Sequence, residues 1–472
     1  MRVGVGHLAE VRYPSCFSSK VPPCNLLRLS LVSGALIASR IQSLAPMRPD
    51  TDLKRFSVAI FFLAFGLRLL VAWKAGFFSK FLPDEMVRIA LSLVKYHEYG
   101  NPYIIRTGPT AHEMPVYPIF MSLIYFAFGS GAAAEAIKIL LGCAATALRC
   151  SLLPRFCLAA GLGRSVGIIS GILGTVYISA LQTELRGNWD GPWQSLALLT
   201  LMWMTISIWR ERSWMQHNLL LYMILWGTAI LLQPAFLPIL AGFLLAGLIA
   251  APVDTRPRYL QRSMALLLVV FACLAPWTIR NYLRFGKVIP TRSNFGLELW
   301  ISNGPERAFD MKTNLGFKVP HPSTNLSEAQ LVLQMGEVQY NQIKLREAET
   351  WIRSHPGEFA RLTSLRFLAF WFPPARNIFD RALSLGLTLL ALVGLGLMFR
   401  RQHLVAALFS LGWIGFPLIY YVIQWSSKYR YAMEWQLLVC AALTISSALN
   451  ALRRGSRDSG EQLIRKPEAR AA

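Results

Sequence analysis

The sequence predicts an all-α, polytopic membrane helical bundle of about ten transmembrane helices with helical outer loops. Three observations predict it. Hydrophobic residues make up 54% of the 472 positions and charged residues only 15%, against about 25% charge in a soluble domain. Apolar windows recur at lengths that span hydrocarbon. The basic residues gather in short segments between those windows, which is the positive-inside pattern.

The windows fall at 57–76, 131–153, 166–183, 193–209, 218–234, 235–251, 263–279, 381–399, 403–424 and 433–451. A further stretch at 117–128, YPIFMSLIYFAF, is too short to cross and is expected along the interface. Residues 1–46 stand apart: they mix Pro, Ser, Cys and Arg and carry no proper cleavage signal. Met47 opens MRPDTDLKRF, a short basic lead into the first span. The expectation is a translation start at Met47, with a disordered cytoplasmic extension as the alternative. Residues 47–455 are expected to form one membrane domain, with outer loops at 77–130 and 280–380, and 456–472 a cytoplasmic tail.

With Lys54 and Arg55 in the cytoplasm, counting spans puts every short basic cluster on the same side: Arg149, Arg155 and Arg164; Arg210 and Arg212; Arg256, Arg258 and Arg262; Arg400 and Arg401; Arg453 and Arg454. The outer side then receives two long segments, 77–130 and 280–380. Within the second, Ser327-x-x-Gln330 reads as a capping box, opening a helix to about Arg353 that His355, Pro356 and Gly357 stop. FARLTSLRFLAFWF then leads back to the membrane.

The net charge of +23 points, in such a chain, to an anionic lipid partner and not to nucleic acid. Cys143, Cys150 and Cys157 recur every seven residues on one helix face and read as small packing residues. No C-x-x-C, H-x-x-H or H-E-x-x-H spacing suggests a metal. No P-loop, dinucleotide fingerprint or nucleophile elbow is present either, so neither cofactor nor metal is expected.

The chemistry-bearing residues lie at outer span ends. Asp84 and Glu85 are adjacent carboxylates just past the first span. Ionisable groups at a membrane boundary are functional candidates, although Asp84 could equally cap a helix opening near Met86. Glu184 ends the third span, with Asp190 in the same loop. It is either a second functional acid or a partner of Arg186. Arg280 and Arg430 each follow a span, and a guanidinium fork suits phosphate oxygens. Lys428 is a point-charge alternative, and snorkelling would also place arginines there. Arg68, within the first span, snorkels outward or pairs with a carboxylate. Trp189, Trp193, Trp300, Trp425, Tyr429, Tyr431 and Trp435 fit an aromatic belt. His97 and His112 carry no ligand spacing.

The order of these pieces resembles a family. An outer Asp-Glu after the first span is followed by GPTAHEMPVYPIFMSLIYFAFG, LAPWTIRNYLRFGKVIPTRSNFGLELWISN, WIRSHPGEFARL and KYRYAMEW. This arrangement is similar to the GT-C polytopic glycosyltransferases, and within them to bacterial relatives of protein O-mannosyltransferases and the lipid A aminoarabinose transferase. The resemblance covers nearly everything after Met47. It implies a polyprenyl-phosphate-linked sugar donor, a lipid, glycan or protein acceptor, and inverting transfer at the outer face of the inner (plasma) membrane. In its terms Asp84 is the base, Glu85 tunes it, Glu184 is a second acid, and Arg280, Arg430 and Lys428 hold the donor phosphate. An O-antigen ligase or polymerase, whose key residues lie in a late outer loop, fits less well with so early an Asp-Glu pair. A transporter or flippase would carry ionisable residues deep in several spans; here they are chiefly Arg68, Glu135 and Lys138.

Overall fold

The computed structural model describes residues 49–79, 81, 83–177, 184–185, 189–211, 218–316, 318–374 and 378–465. The contact pattern separates Met1–Asp52 from Leu53–Ala472, and the helical bundle with its cavity is the second of these units. The expectations for residues 1–46, for a partner role of Arg186 and for the end of the C-terminal tail fall outside the described residues.

All regular structure among the described residues is helical. The chain order is α1 (Pro49–Lys74), α2 (Glu85–Tyr96), α3 (Val116–Phe128), α4 (Ala132–Ala159), α5 (Arg164–Val176), α6 (Gly191–Glu211), α7 (Leu219–Leu232), α8 (Phe236–Ala250) and α9 (Arg256–Phe285). Then come α10 (Phe295–Ser302), α11 (Met311–Gly316), α12 (Leu326–Met335), α13 (Glu337–Ser354), α14 (Pro356–Trp371), α15 (Ile378–Arg401), α16 (His403–Gly415), α17 (Leu418–Val422) and α18 (Glu434–Arg465).

Among the described residues, six segments are long and apolar enough to cross a membrane: Thr51–Lys74, Ala132–Ala159, Arg256–Phe285, Ile378–Arg401, His403–Val422 and Ser427–Arg453. The other four expected windows fall on α5, α6, α7 and α8. Of these α5, α7 and α8 have 13, 14 and 15 residues, a rise of about 20 Å each against a hydrocarbon core of about 30 Å. The expected interfacial stretch is α3. It buries Tyr117, Met121, Ile124 and Tyr125 and leaves Ile119, Leu123, Phe126 and Phe128 exposed.

The core sits around the last span. Trp435 and Leu437 to Leu443 are all buried, and α15 and α5 pack on them. Gly394 permits that contact: a Cβ there would lie 1.9 Å from the Cys440 carbonyl oxygen. Small residues allow membrane helices to approach this closely. Cys143, Cys150 and Cys157 are all buried thiols of α4. Trp435, read from sequence as a belt residue, is fully buried against Phe156 and Phe409.

Two further expectations are corrected. The capping side chain of α12 is Asn325, whose Oδ1 accepts from the Glu328 amide at 3.0 Å; Ser327 lies inside the first turn. The helix also does not run unbroken to Arg353. Gly336, at φ +80°, separates α12 from α13, a backbone setting that favours glycine. The break places Glu337 at the start of α13, within reach of both long loops.

Candidate active site

A cavity of about 780 Å³ opens where the two long loops meet one end of the bundle. The first loop contributes Glu85, His112 and Glu113. The second contributes Arg292, Asn294, Glu298, His321 and Ser323. Gln233 and Pro234, between α7 and α8, close another side, and Tyr420, Gln424, Lys428 and Tyr429 enter from the last two spans. Leu237, Phe416, Leu418, Ile419, Phe295 and Leu315 make the remaining wall apolar.

Glu337 ties the two loops together. Its carboxylate accepts hydrogen bonds from the Thr110 hydroxyl, the Ala111 amide at 2.8 Å and the Ser293 hydroxyl. Those residues directly precede His112 and Glu113 and directly follow Arg292. The end of α9 braces the same loop segments. Trp277 donates to the Thr291 carbonyl at 2.9 Å and Asn281 to the Ile289 carbonyl at 2.8 Å. The start of the last span is held by an exchange of backbone bonds between Trp425 and both Phe309 and Met311.

Asp84 caps α2, its Oδ1 accepting from the Val87 amide at 3.0 Å. Burial, then the neighbouring Glu85 charge, push its carboxyl up to about 7. Glu85 itself lines the cavity. Burial pushes Glu85 up, but His321, His112 and the donating Ser323 hydroxyl outweigh this and hold it at about 2. Burial also drives His321 down to about 4, and its Nδ1 accepts from the Ser323 amide at 3.0 Å. The Ser323 hydroxyl donates to the same Glu85 carboxylate, and the His321 ring stands 4.0 Å from it. Adjacent carboxyls pushed in opposite directions are the arrangement that divides acid and base roles.

The other sequence-selected residues divide between the cavity and the bundle. Lys428 lines the cavity. Its ammonium stands 6.0 Å from the Trp189 ring centroid and 5.7 Å from that of Tyr429, with no ion pair among the described residues. Arg280 does not line the cavity. It donates to the Thr110 carbonyl at 2.7 Å, to the Tyr99 carbonyl and to Asn281 at 2.9 Å. Arg430 is buried within the bundle, donating to Glu434, the Trp371 carbonyl, Thr388 and the Tyr177 hydroxyl. Both guanidinium groups are therefore committed to protein acceptors, and the paired-arginine phosphate clamp expected from sequence has no free fork to offer.

Glu184 is likewise away from the cavity. It forms a buried ion pair with Arg68 at 2.5 Å and lies 3.8 Å from Arg149. Arg68 therefore pairs with a carboxylate and does not snorkel. Arg149, counted from sequence among the basic clusters, is buried in the bundle, donating to Ser195 at 2.8 Å and facing the Tyr431 ring. Glu135 and Lys138 pair at 3.0 Å, with Tyr125 between them.

Sequence reasoning passed over Glu113, Arg292, Glu298 and His321. Glu113 and Arg292 form an ion pair at 3.0 Å. Burial raises Glu298 to about 7, with the Glu85 charge adding to it. Only the run of loop polar residues around PTAHEMP and PTRSNFG hinted at them.

No protein-family model and no curated protein matches the chain. Among solved structures it is similar to the archaeal oligosaccharyltransferase AglB from Archaeoglobus fulgidus, solved in complex with an inhibitory peptide and a dolichol-phosphate. The identity is 14% and the TM-score 0.50, over 87% of this chain and 52% of that one. The apo form of the Archaeoglobus fulgidus oligosaccharyltransferase gives 14% identity and a TM-score of 0.49, over 86% and 52%. The chain thus spans about half the length of these proteins, and what it shares with AglB is the fold.

Proposed function

We propose that this chain is a membrane glycosyltransferase. It moves a sugar from a polyprenyl-phosphate donor to a lipid, glycan or protein acceptor, at the outer face of the inner membrane, within residues 47–455. One observation carries the reading. Glu85 from the first loop and the Lys428 ammonium from the start of the last span line one cavity with an apolar patch in its wall, and Asp84, next to Glu85 in the chain, feels the Lys428 charge. The shared fold with AglB, solved with a dolichol-phosphate, agrees with it.

The reaction is a displacement at the anomeric carbon. The acceptor oxygen bonds to that carbon as the bond to the donor phosphate oxygen breaks, and the polyprenyl phosphate leaves with the electron pair. Asp84 takes the acceptor proton. A carboxyl near 7 is a stronger base than an ordinary one and is still largely ionised slightly above neutrality. Glu85, kept ionised, orients the acceptor or steadies positive charge at the sugar. Lys428 holds the departing phosphate as a point charge. Arg280 fixes the loop backbone before His112, and Glu184 and Arg430 hold the bundle. Direct displacement inverts the anomeric centre.

The test is glycolipid profiling. Cells lacking the chain should accumulate one polyprenyl-phosphate sugar and lose one glycoconjugate, both restored by the intact protein and not by Asp84→Asn. An unchanged glycolipid and glycoconjugate profile would end the proposal.

A further inference from the structure

We propose that Glu298 binds the acceptor, and that the group it holds for glycosylation is a neutral hydroxyl and not a phosphate. This rests on the glycosyltransferase reading and narrows its acceptor.

Among the described residues, three acids line the cavity: Glu85, Glu113 and Glu298. The first two are committed. Ser323 donates to Glu85, and Glu113 stands against Arg292 at 3.0 Å. Glu298 has no hydrogen bond and no ion pair among the described residues. It is half-buried, and its side chain meets the open space of the cavity. Its position is rigid. Phe295, Glu298 and Ile301 follow at every third residue of α10 and all line the cavity, so one helix face makes this part of the wall. The residues between them pin α10 to α13. The Leu297 amide donates to Asn341 Oδ1 at 3.0 Å, and a Cβ at Gly296 would lie 2.0 Å from the Asn341 carbonyl oxygen. A carboxyl carried on a braced helix is placed well enough to position a substrate.

Charge decides what Glu298 can hold. Of the basic groups on the cavity wall, Arg292 faces Glu113 and His321 faces Glu85. Lys428 is assigned to the donor phosphate. Burial, then the Glu85 and Glu113 charges, raise the Glu298 carboxyl to about 7, so this wall already resists one more negative charge. A phosphate acceptor would bring such a charge and find no uncommitted cation among the described residues, which is discrimination by repulsion. A hydroxyl brings no charge. It both donates and accepts, so it pairs with Glu298 whether that carboxyl is ionised or protonated. The charge that Glu298 feels most is that of Glu85, the chain neighbour of Asp84, which brings a hydroxyl held there to the base's side of the cavity.

The experiment uses the full-length protein, in cells and purified. The glycoconjugate that disappears when the chain is deleted is isolated from wild-type cells and heated in mild acid, which splits glycosyl phosphates and spares sugars joined to a hydroxyl oxygen. The linkage should survive; release of the sugar with a phosphate left on the acceptor overturns the proposal. In the complemented deletion strain, Glu298→Ala should form the glycoconjugate at about a tenth of the wild-type rate, the scale of one hydrogen bond to a charged group. Glu298→Gln, which keeps an oxygen for the hydroxyl, should recover most of that rate. Both purified variants should bind sugar-free polyprenyl phosphate as wild type does. A wild-type rate in Glu298→Ala, or loss of polyprenyl phosphate binding in a folded Glu298→Gln, overturns the acceptor role alone. An unchanged glycoconjugate profile on deletion overturns the glycosyltransferase reading, and this inference with it.

Discussion

Replacing Asp84 with Asn separates two roles that one carboxylate plays. Asp84 caps α2 through the Val87 amide, and Asn caps a helix as well as Asp does. The cap therefore survives the exchange. The charge does not. Burial and Glu85 raise the carboxyl from an ordinary 3.8 to about 7, about three decades of proton affinity. At about 1.4 kcal/mol per decade, ionisation costs the folded state about 4 kcal/mol at most. Partial exposure of Asp84 screens this to about 1–2 kcal/mol. The sign follows from proton counts. Between pH 4 and 7 the folded protein holds a proton that the unfolded chain has lost, so wild-type stability falls as pH rises through that window. Above pH 7 the penalty is complete. Asp84→Asn should therefore match wild type in thermal unfolding near pH 4 and exceed it at pH 8. Its transfer rate should fall by about 10²–10⁴-fold, and the wild-type rate should rise with pH through about 7. Asp84→Ala, which loses the cap, should cost about 1 kcal/mol. Thermal unfolding in detergent from pH 4 to 8, with transfer assayed on the same samples, gives all three readings. An Asp84→Asn protein that transfers at the wild-type rate would refute the base assignment and leave the cap as the residue's role.

Lys428→Met should weaken polyprenyl phosphate binding by about 1.5–3 kcal/mol, the scale of a charge-assisted hydrogen bond, while Lys428→Arg keeps most of it; a direct binding titration decides. Glu184→Gln should lower stability by about 3–5 kcal/mol, because it strands Arg68 and Arg149 in the bundle, while the folded fraction keeps its activity. Loss of transfer without loss of stability would make Glu184 a functional acid instead. Single cysteines at Lys95 and Lys312, both exposed, should react with an impermeant thiol reagent from outside the cell, and labelling only from the cytoplasm would reverse the orientation.

The helical bundle was legible in the sequence because a span announces itself by length and hydropathy alone, and each of the ten windows finds a helix. Helix ends were less legible: Gly336 breaks a run that composition reads as continuous, and α5, α7 and α8 are shorter than their apolar windows. Asp84 and Glu85 stood out because carboxylates beside a span are costly. Arg280 and Arg430 stood out for the same positional reason, yet an arginine at a span end serves loop carbonyls and buried acids as readily as phosphate. Glu113 and Arg292 were only hinted at, because each sits in an aperiodic loop and their pairing joins segments far apart in the chain. Only the tertiary structure, with Glu337 clasping both loops, brings them to one wall.

The most direct test of the proposed chemistry is a structure of the protein with polyprenyl phosphate bound. The phosphate should lie in the cavity within hydrogen-bond reach of Lys428, with the polyprenyl chain along Leu237, Leu418 and Ile419 and with Glu85 facing the space beside it. A phosphate held by Arg280 or Arg430 away from that cavity, or a lipid bound only on the outer surface of the bundle, would contradict it.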